Sequence, residues 1–536
     1  MDLTNFSLLY PDAESQRRRY SGEDRPDISA EVIEQLALGE MIDLKNSDLS
    51  EYFTADPAVI HYRAETFADM LAHEELITML NDLMPVLGDV MELRRLEADS
   101  GDTESYLLSI TEIELYISSI EILHRTLRDL RPQLKSAAFG TLADRIIELA
   151  DSEYYGNLNK KLNELTSRVR EIKSVTVGVN LDAQLRPKNA GVLSINNEPF
   201  KSGDVLEKIL RLDFKNDDYT CIASLVPFGK KQSEDQKVAL GLAFNSAINE
   251  VYKSSLRSWK KIVQSYVLEN TDFLLNLMPE IELLVKGTRL MQALTARGCK
   301  LCMPTILPAE ERGFRAWGIY NPAVALKVED EIVTNDLIFD ENATIYILSG
   351  PNRGGKSVIT CALGLAQAMM QLGLYVPAER AELSPCDAIF THFPSITTDT
   401  IDHGRLGEEC VRLNDIFDRL TDRSLVLLDE SLSSTGSFEG AAIATEVLAG
   451  LSRARCRCLF STHLHELAAE IDGINARTVE FGGGKIDTLV AGIEEGKRSF
   501  KIKRAKPDGK SYARDIAAKY GLSYENIIRK IDAKNA

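Results

Sequence analysis

The sequence predicts a multidomain protein: a mainly α-helical N-terminal region with a small β insert, followed by a C-terminal α/β domain. Three observations predict it. At 536 residues the chain exceeds what one hydrophobic core organises. Apolar residues recur at helical spacing through the first 170 residues, with little glycine or proline. From Cys299 onward, short apolar runs alternate with helical patterns, the texture of strands connected by helices. The expected boundaries are 1–298 for the helical core and lever domain, with the insert at about 174–229, and 299–536 for the α/β domain.

The elements follow in order. Ile110, Ile113, Leu115, Ile117, Ile120, Ile122 and Leu123 mark a helical stretch. Val175, Val177 and Val179 then alternate with other residues, and Gly191-Val-Leu-Ser-Ile195 follows a Pro/Asn/Gly turn, so strands are expected there. A further apolar run spans Tyr219 to Val226, and the insert ends near Gly229. Residues 232–295 read as helix again. Sixty helical residues would span about 90 Å, so a lever arm or a break is implied, with Asn270 and Pro279 offering breaks.

Composition bounds the function. Hydrophobic residues make up 44% and charged residues 27%, as in ordinary globular proteins. No run of about 18 apolar residues exists to span a membrane, and the start lacks the basic and apolar regions of a secretory signal, so a cytoplasmic protein is expected. Eight cysteines give no disulfide framework. Cys299-Lys-Leu-Cys302 has metal-like spacing, but a structural zinc site needs four ligands, and reduced thiols are the expectation. A net charge of −19 argues against a surface that grips phosphates everywhere. Two basic clusters stand out, Arg17-Arg18-Arg19 and Lys497 through Lys506, each also readable as a solvated face.

Ala343-Thr-Ile-Tyr-Ile-Leu-Ser349 reads as a buried strand. It runs into Gly350, Pro351, Asn352, Arg353, Gly354, Gly355, Lys356 and Ser357, matching G-x-x-x-x-G-K-[ST] without a mismatch. Glycines let the backbone turn so that its N–H groups face phosphate oxygens. Lys356 is expected at the β/γ-phosphates of ATP and Ser357 at Mg²⁺. An apolar helix pattern begins at Val358, adding its N-terminal dipole.

A second strand, Ser424-Leu-Val-Leu-Leu428, ends in Asp429-Glu430. An acid at a strand end suits Mg²⁺, so Asp429 is the expected metal ligand, and Glu430 the base or orienter for an attacking water. A third strand, Cys458-Leu-Phe-Ser461, ends in Thr462-His463, where His463 can contact a γ-phosphate. Between them, Ser431-Leu-Ser-Ser-Thr-Gly-Ser437 precedes a helix. Hydroxyls and amides at a helix start make an anion site, and this one is poorly placed for its own P-loop, so a partner's nucleotide is its expected target.

These motifs, with Leu374-Tyr-Val-Pro-Ala378, Ala381-Glu-Leu383, Tyr320-Asn321-Pro322, Val333-Thr-Asn-Asp-Leu337 and Ser511-Tyr-Ala-Arg-Asp-Ile-Ala517, resemble the MutS family ATPase domain over roughly residues 300–536. The resemblance implies an ABC-type P-loop ATPase that dimerises through a C-terminal helical segment, forms composite nucleotide sites with ATP and Mg²⁺, and couples them to DNA binding in repair. It implies phosphate and metal roles for Lys356, Ser357 and Asp429, hydrolytic roles for Glu430 and His463, a P-loop asparagine at Asn352, and a trans signature at Thr435 and Ser437.

The departures shape the expectation. The mismatch-reading Phe-x-Glu motif of the family occurs only at Phe339-Asp-Glu341, just ahead of the P-loop strand, and helices begin almost at once, so a divergent member without the N-terminal mismatch reader is expected. The stretch after the acids reads Ser431-Leu-Ser-Ser434, and the segment before them is short around Gly404-Arg-Leu-Gly-Glu-Glu409. The leading expectation is a homodimeric ATPase that engages branched or distorted DNA. The alternative is a nucleotide-gated protein scaffold, which the acidic balance favours.

Overall fold

The computed structural model describes residues 6–45, 47–99, 106–171, 173–181, 183–184, 187–199, 268–351, 353–394, 404–464, 467–494, 497–506 and 521–535. The expected strand at Tyr219–Val226, the rest of the insert to Gly229, the helical run 232–267 and the segment Ser511–Ala517 lie outside them.

Helices α1 (Ala13–Ser21), α2 (Ala30–Gln35), α3 (Leu38–Met41), α4 (Pro57–Ala72), α5 (Glu74–Asp99), α6 (Tyr106–Leu130), α7 (Ala137–Ala150) and α8 (Glu153–Glu171) come first. An antiparallel hairpin, β1 (Ser174–Leu181) and β2 (Pro187–Asn196), follows where alternation predicted strands. Helices α9 (Leu268–Asn276) and α10 (Met278–Ala296) come next. The break between them falls at Leu277, with Pro279 in the first turn of α10, where its missing N–H costs nothing. Asn270 lies inside α9 and breaks nothing.

The remainder alternates: β3 (Thr305–Ile306), β4 (Phe314–Ile319), α11 (Pro322–Lys327), β5 (Asn335–Phe339), β6 (Ile345–Ser349), α12 (Lys356–Gln371), β7 (Arg380–Leu383), β8 (Ile389–His392), α13 (Gly404–Arg419), β9 (Leu425–Asp429), α14 (Ser437–Ala454), β10 (Arg457–Ser461), α15 (Leu467–Val479), β11 (Ile486–Glu494), β12 (Lys497–Arg504) and α16 (Tyr524–Asn535).

The packing forms two compact units. One holds Glu74–Leu134 and the described part of Phe139–Met278. In it, α5 buries Leu76, Leu80, Leu83, Leu87 and Val90, one helical stripe, and α6 buries Ile113, Ile117, Ile120 and Leu127. Arg94 of α5 pairs with the buried Glu112 of α6 and with Asp272 of α9, so one guanidinium ties three helices.

The second unit holds Ser7–His73, Lys135–Ala138 and Pro279–Ala536. The expected division at 298/299 runs along the sequence, whereas packing joins the first helices to the α/β region, because buried side chains of the N-terminal segment tie it there. Arg63 is fully buried and donates to the carbonyls of Leu9 and Tyr52. Glu280, at the start of α10, accepts from Ser7 Oγ and Leu8 N–H at 2.7 Å each, and Glu282 accepts from Lys45 N–H at 2.7 Å.

This unit contains two sheets. The larger has the order β12-β11-β6-β10-β9-β8, parallel except for the antiparallel edge strand β12. β6, β9 and β10 are buried at every position, as parallel strands covered on both faces must be. The smaller sheet has the order β3-β7-β4-β5.

Burial pushes the Glu280 carboxyl up from 4.5 to about 7, and the bonds from Ser7 and Leu8 only partly offset it. A raised folded-state value means that the unfolded chain ionises first as pH rises, so this group's stabilisation is present below about pH 4.5 and is lost toward pH 7. The wild type should therefore lose stability relative to Glu280→Gln by roughly 3 kcal/mol between about pH 4.5 and pH 8. Urea midpoints across that range check this, and parallel curves for the two proteins would contradict it.

Candidate functional site

The site grows from β6, which sits between β10 and β11 and ends at Ser349. Gly350 follows with φ 146°, and a Cβ there would stand 2.7 Å from Ala491 Cβ on β11. Arg353 is left-handed at φ 59°, and Gly355 at φ 91° is the N-cap of α12. The loop is therefore a tight turn at the carboxyl ends of parallel strands, where α/β sheets bind ligands.

Lys356 opens α12 and is only 4% exposed. Its Nζ donates to Gly350 O at 3.1 Å and Pro351 O at 3.3 Å, and lies 3.4 Å from His463 Nε2. Burial lowers its pKa, against the pull of Glu430 and Asp429. Asp429 ends β9 in the neighbourhood of Ser357. Burial raises its carboxyl, the Ser357 hydroxyl bond opposes this, and Glu430 adds to the rise. Its Oδ1 is buried with no hydrogen-bond partner among the described residues. Glu430 takes φ 50°, and its N–H donates to Ser461 O at 2.8 Å. Its Oε1 stands 2.9 Å from His463 Nε2. A proton on Nε2 serves that carboxylate, which leaves the ammonium with the two loop carbonyls.

Arg353, Gly354, Gly355, Lys356, Ser357 and Glu430 line one cavity of about 440 Å³. Gly350 and Pro351 stand behind it as the acceptors for Lys356. Asn352 lies outside the described residues. Thr435 and Ser437 are not among the residues lining the cavity. Thr435 Oγ1 donates to Glu439 at 2.7 Å, and Ser437 starts α14 beside Phe438, which is 83% exposed.

The cavity also has an apolar wall that no sequence motif marks. Val324, Ile332, Val333 and Phe500 give the cavity an apolar side. Phe500 sits on β12 in the left-handed region at φ 55°, its ring 3.3 Å from where a Gly355 Cβ would be. Asn335 of β5 holds it, donating to Phe500 O at 3.1 Å and accepting from Ile502 N–H at 2.7 Å. Val333-Thr-Asn-Asp-Leu337 resembles the family's ATPase domain in sequence, but nothing in the spacing links Asn335 to a residue 165 positions on.

Other readings resolve into structural roles. Arg17 pairs with Glu14, Arg18 with Asp56, and Arg19 is buried on the carbonyls of Ser50 and Glu51. In the second cluster Lys501 donates to Thr334 O at 2.6 Å, Arg504 pairs with Asp487 and Lys506 with Asp472. Phe339 is fully buried, packed edge-on against Phe314 and Tyr346. Cys299 and Cys302 are free thiols, burial pushing Cys302 up to about 11. No group of three metal-ligating side chains of the His/Cys/Asp/Glu kind occurs, and no helix is long and apolar enough to cross a membrane, among the described residues.

A tight loop joins the central parallel strand β6 to α12, with His463 just past the end of the neighbouring β10 and Asp429-Glu430 at the end of β9 beyond it, which defines an α/β domain with its candidate site at the carboxyl ends of the strands. Residues 346–510 match the family model of MutS domain V, and residues 55–297 match that of the MutS2 N-terminal domain. The chain is 37% identical over 149 residues to the DNA mismatch repair protein MutS of Prochlorococcus marinus (strain MIT 9312), covering 27% of this chain and 16% of that protein. It is 32% identical over 234 residues to MutS of Chlorobium limicola, covering 42% and 26%, and 37% identical over 152 residues to the DNA mismatch repair protein Msh6 of Gallus gallus, covering 27% and 11%. The matched stretch thus spans about a quarter or less of these relatives. The chain belongs to the MutS family. Its helical half, which showed periodicity but no motif, carries the MutS2 N-terminal match.

Gly350→Ala should destabilise the protein by about 1–3 kcal/mol, through the strained φ and the overlap with Ala491. Ala491→Gly should recover part of that loss in thermal unfolding. An unchanged midpoint in Gly350→Ala would contradict the packing described.

Proposed function

We propose that the chain binds ATP with Mg²⁺ in this cavity and hydrolyses it, and that it works as a homodimer coupling the nucleotide cycle to engagement of DNA. The carrying observation is the convergence of Lys356, Ser357, Asp429, Glu430 and His463 from three adjacent strand ends at one mouth.

The chemistry follows from electrostatics. Burial disfavours the charge on Lys356 and on Asp429 alike, so each lacks a full counter-charge. Phosphate oxygens would supply one and a cation the other. The orphaned Asp429 Oδ1 and the nearby Ser357 hydroxyl are hard oxygen donors that fit Mg²⁺. Bound there, the ion would neutralise charge on the β- and γ-phosphates. Glu430, oriented by His463, would accept the proton of the attacking water. The Phe500 wall would take the base. Support for a site shared between protomers comes from Thr435 and Ser437, which sit outside the cavity beside the exposed Phe438.

The relatives named for DNA mismatch repair support a repair-related role on DNA. With Phe339 of the Phe-x-Glu sequence buried, shape and backbone charge would be read rather than a single mispair. The pairing of Arg17, Arg18, Arg504 and Lys506 with acids of the chain, together with the net charge of −19, is what favours the second reading, a nucleotide-gated protein scaffold without DNA.

Lys356→Ala should weaken ATP binding by roughly a hundredfold, about 2.7 kcal/mol. Glu430→Gln should keep binding and slow turnover by a hundredfold or more. Calorimetry and phosphate release measure these, and wild-type turnover in Glu430→Gln would refute the base assignment.

Competition among matched, single-mismatch and four-way-junction duplexes at low salt tests the DNA reading. The junction should bind best, with affinity falling steeply as salt rises. A clear mismatch preference would overturn the shape argument. Absence of binding to all three would favour the scaffold.

A further inference from the structure

Glu430 lies on a strained turn that is fixed at each residue by a different element. Glu430 and Leu432 both take left-handed φ, 50° and 63°, which side chains other than glycine rarely adopt. The Glu430 N–H is tied to β10 through Ser461 O. Leu432 is buried in the core cluster with Leu428 and Leu448, and its carbonyl lies 2.9 Å from where a Gly440 Cβ would be. Between them, Ser431 is buried and reaches the other way, to the last residue of β8. Its Oγ donates to His392 O at 3.0 Å and stands 2.7 Å from His392 Nδ1. One hydroxyl has one proton, so with the carbonyl taking it, Nδ1–H must be the donor to Oγ, which fixes the imidazole tautomer. His392 is itself buried, and α13 holds the strand end beyond it through Arg412, which donates to Phe393 O at 3.2 Å.

We propose that His392 and Ser431 are positioning residues for Glu430: by pinning the residue that follows it, they hold the turn from which the carboxylate reaches His463 beside Lys356. The inference rests on the hydrolytic reading of Glu430. Neither residue lines the cavity, and each acts through Glu430 rather than on the cavity directly. A strained turn relaxes when a restraint is removed, and a carboxylate displaced by about 1 Å loses much of its catalytic effect without weakening binding. Burial lowers the His392 pKa to about 4, so the ring stays neutral and its Nδ1–H stays committed to Ser431 at neutral pH.

The test is steady-state ATPase kinetics with parallel titration of a fluorescent ATP analogue. Ser431→Ala should lower kcat about tenfold and leave KM and analogue affinity within about twofold. Ser431→Thr, which keeps the hydroxyl, should recover most of the turnover. His392→Asn keeps an N–H at the Nδ1 position and should exceed His392→Ala in kcat, giving a second arm should Ser431→Ala not fold. In the Glu430→Gln background, Ser431→Ala should cost nothing further, since the group it positions is already disabled. Wild-type kcat in Ser431→Ala and His392→Ala, or an equal loss again in the Glu430→Gln background, overturns the proposal. A Glu430→Gln enzyme that turns over normally overturns the hydrolytic reading beneath it. A disabled Glu430→Gln with an unaffected Ser431→Ala overturns only the positioning.

Discussion

The buried ammonium of Lys356 is the constraint around which the α/β unit is arranged. A cation with so little exposure is costly to desolvate unless opposite charge and acceptors surround it. Two loop carbonyls are provided by the turn of Gly350 and Pro351, and the acids Asp429 and Glu430 by the end of β9. Bringing those acids alongside requires β9 next to β10 and β10 next to β6, the order the sheet has. The compensation is incomplete: burial still disfavours both Lys356⁺ and Asp429⁻. On the proposed reading, a phosphate ester would supply the missing anion and a metal the missing cation.

The second wall comes from far along the chain. Ala491 of β11 closes on Gly350, and Phe500 of β12 closes on Gly355, with Asn335 of β5 bonded to Phe500 O and Ile502 N–H on either side of Lys501. The C-terminal hairpin is thus part of the cavity.

What was legible in the sequence was local. The strand, the glycine loop and the helix are contiguous, so one motif names them, and Asp429-Glu430 announces itself by ending an apolar run. Helical periodicity located the buried stripe of α6, and Pro279 located the α9/α10 break to within two residues. What stayed hidden depends on register between distant segments. Asn335 and Phe500 become one device only because β12 folds back as an antiparallel edge. Arg17, Arg18 and Arg19 look like a phosphate-binding patch in sequence, yet Glu14, Asp56 and two carbonyls consume them. Ser431 reads as one serine in a polar loop until its contact with His392 shows where it points.

A crystal structure of the protein with a non-hydrolysable ATP analogue and Mg²⁺ tests the arrangement most directly. The expected result is a γ-phosphate oxygen on Lys356 Nζ in place of the Gly350 and Pro351 carbonyls, the cation between Ser357 and Asp429 Oδ1, and the base against Phe500. An analogue bound elsewhere, or one in the cavity with Lys356 still on the loop carbonyls and no cation at Asp429, would contradict it.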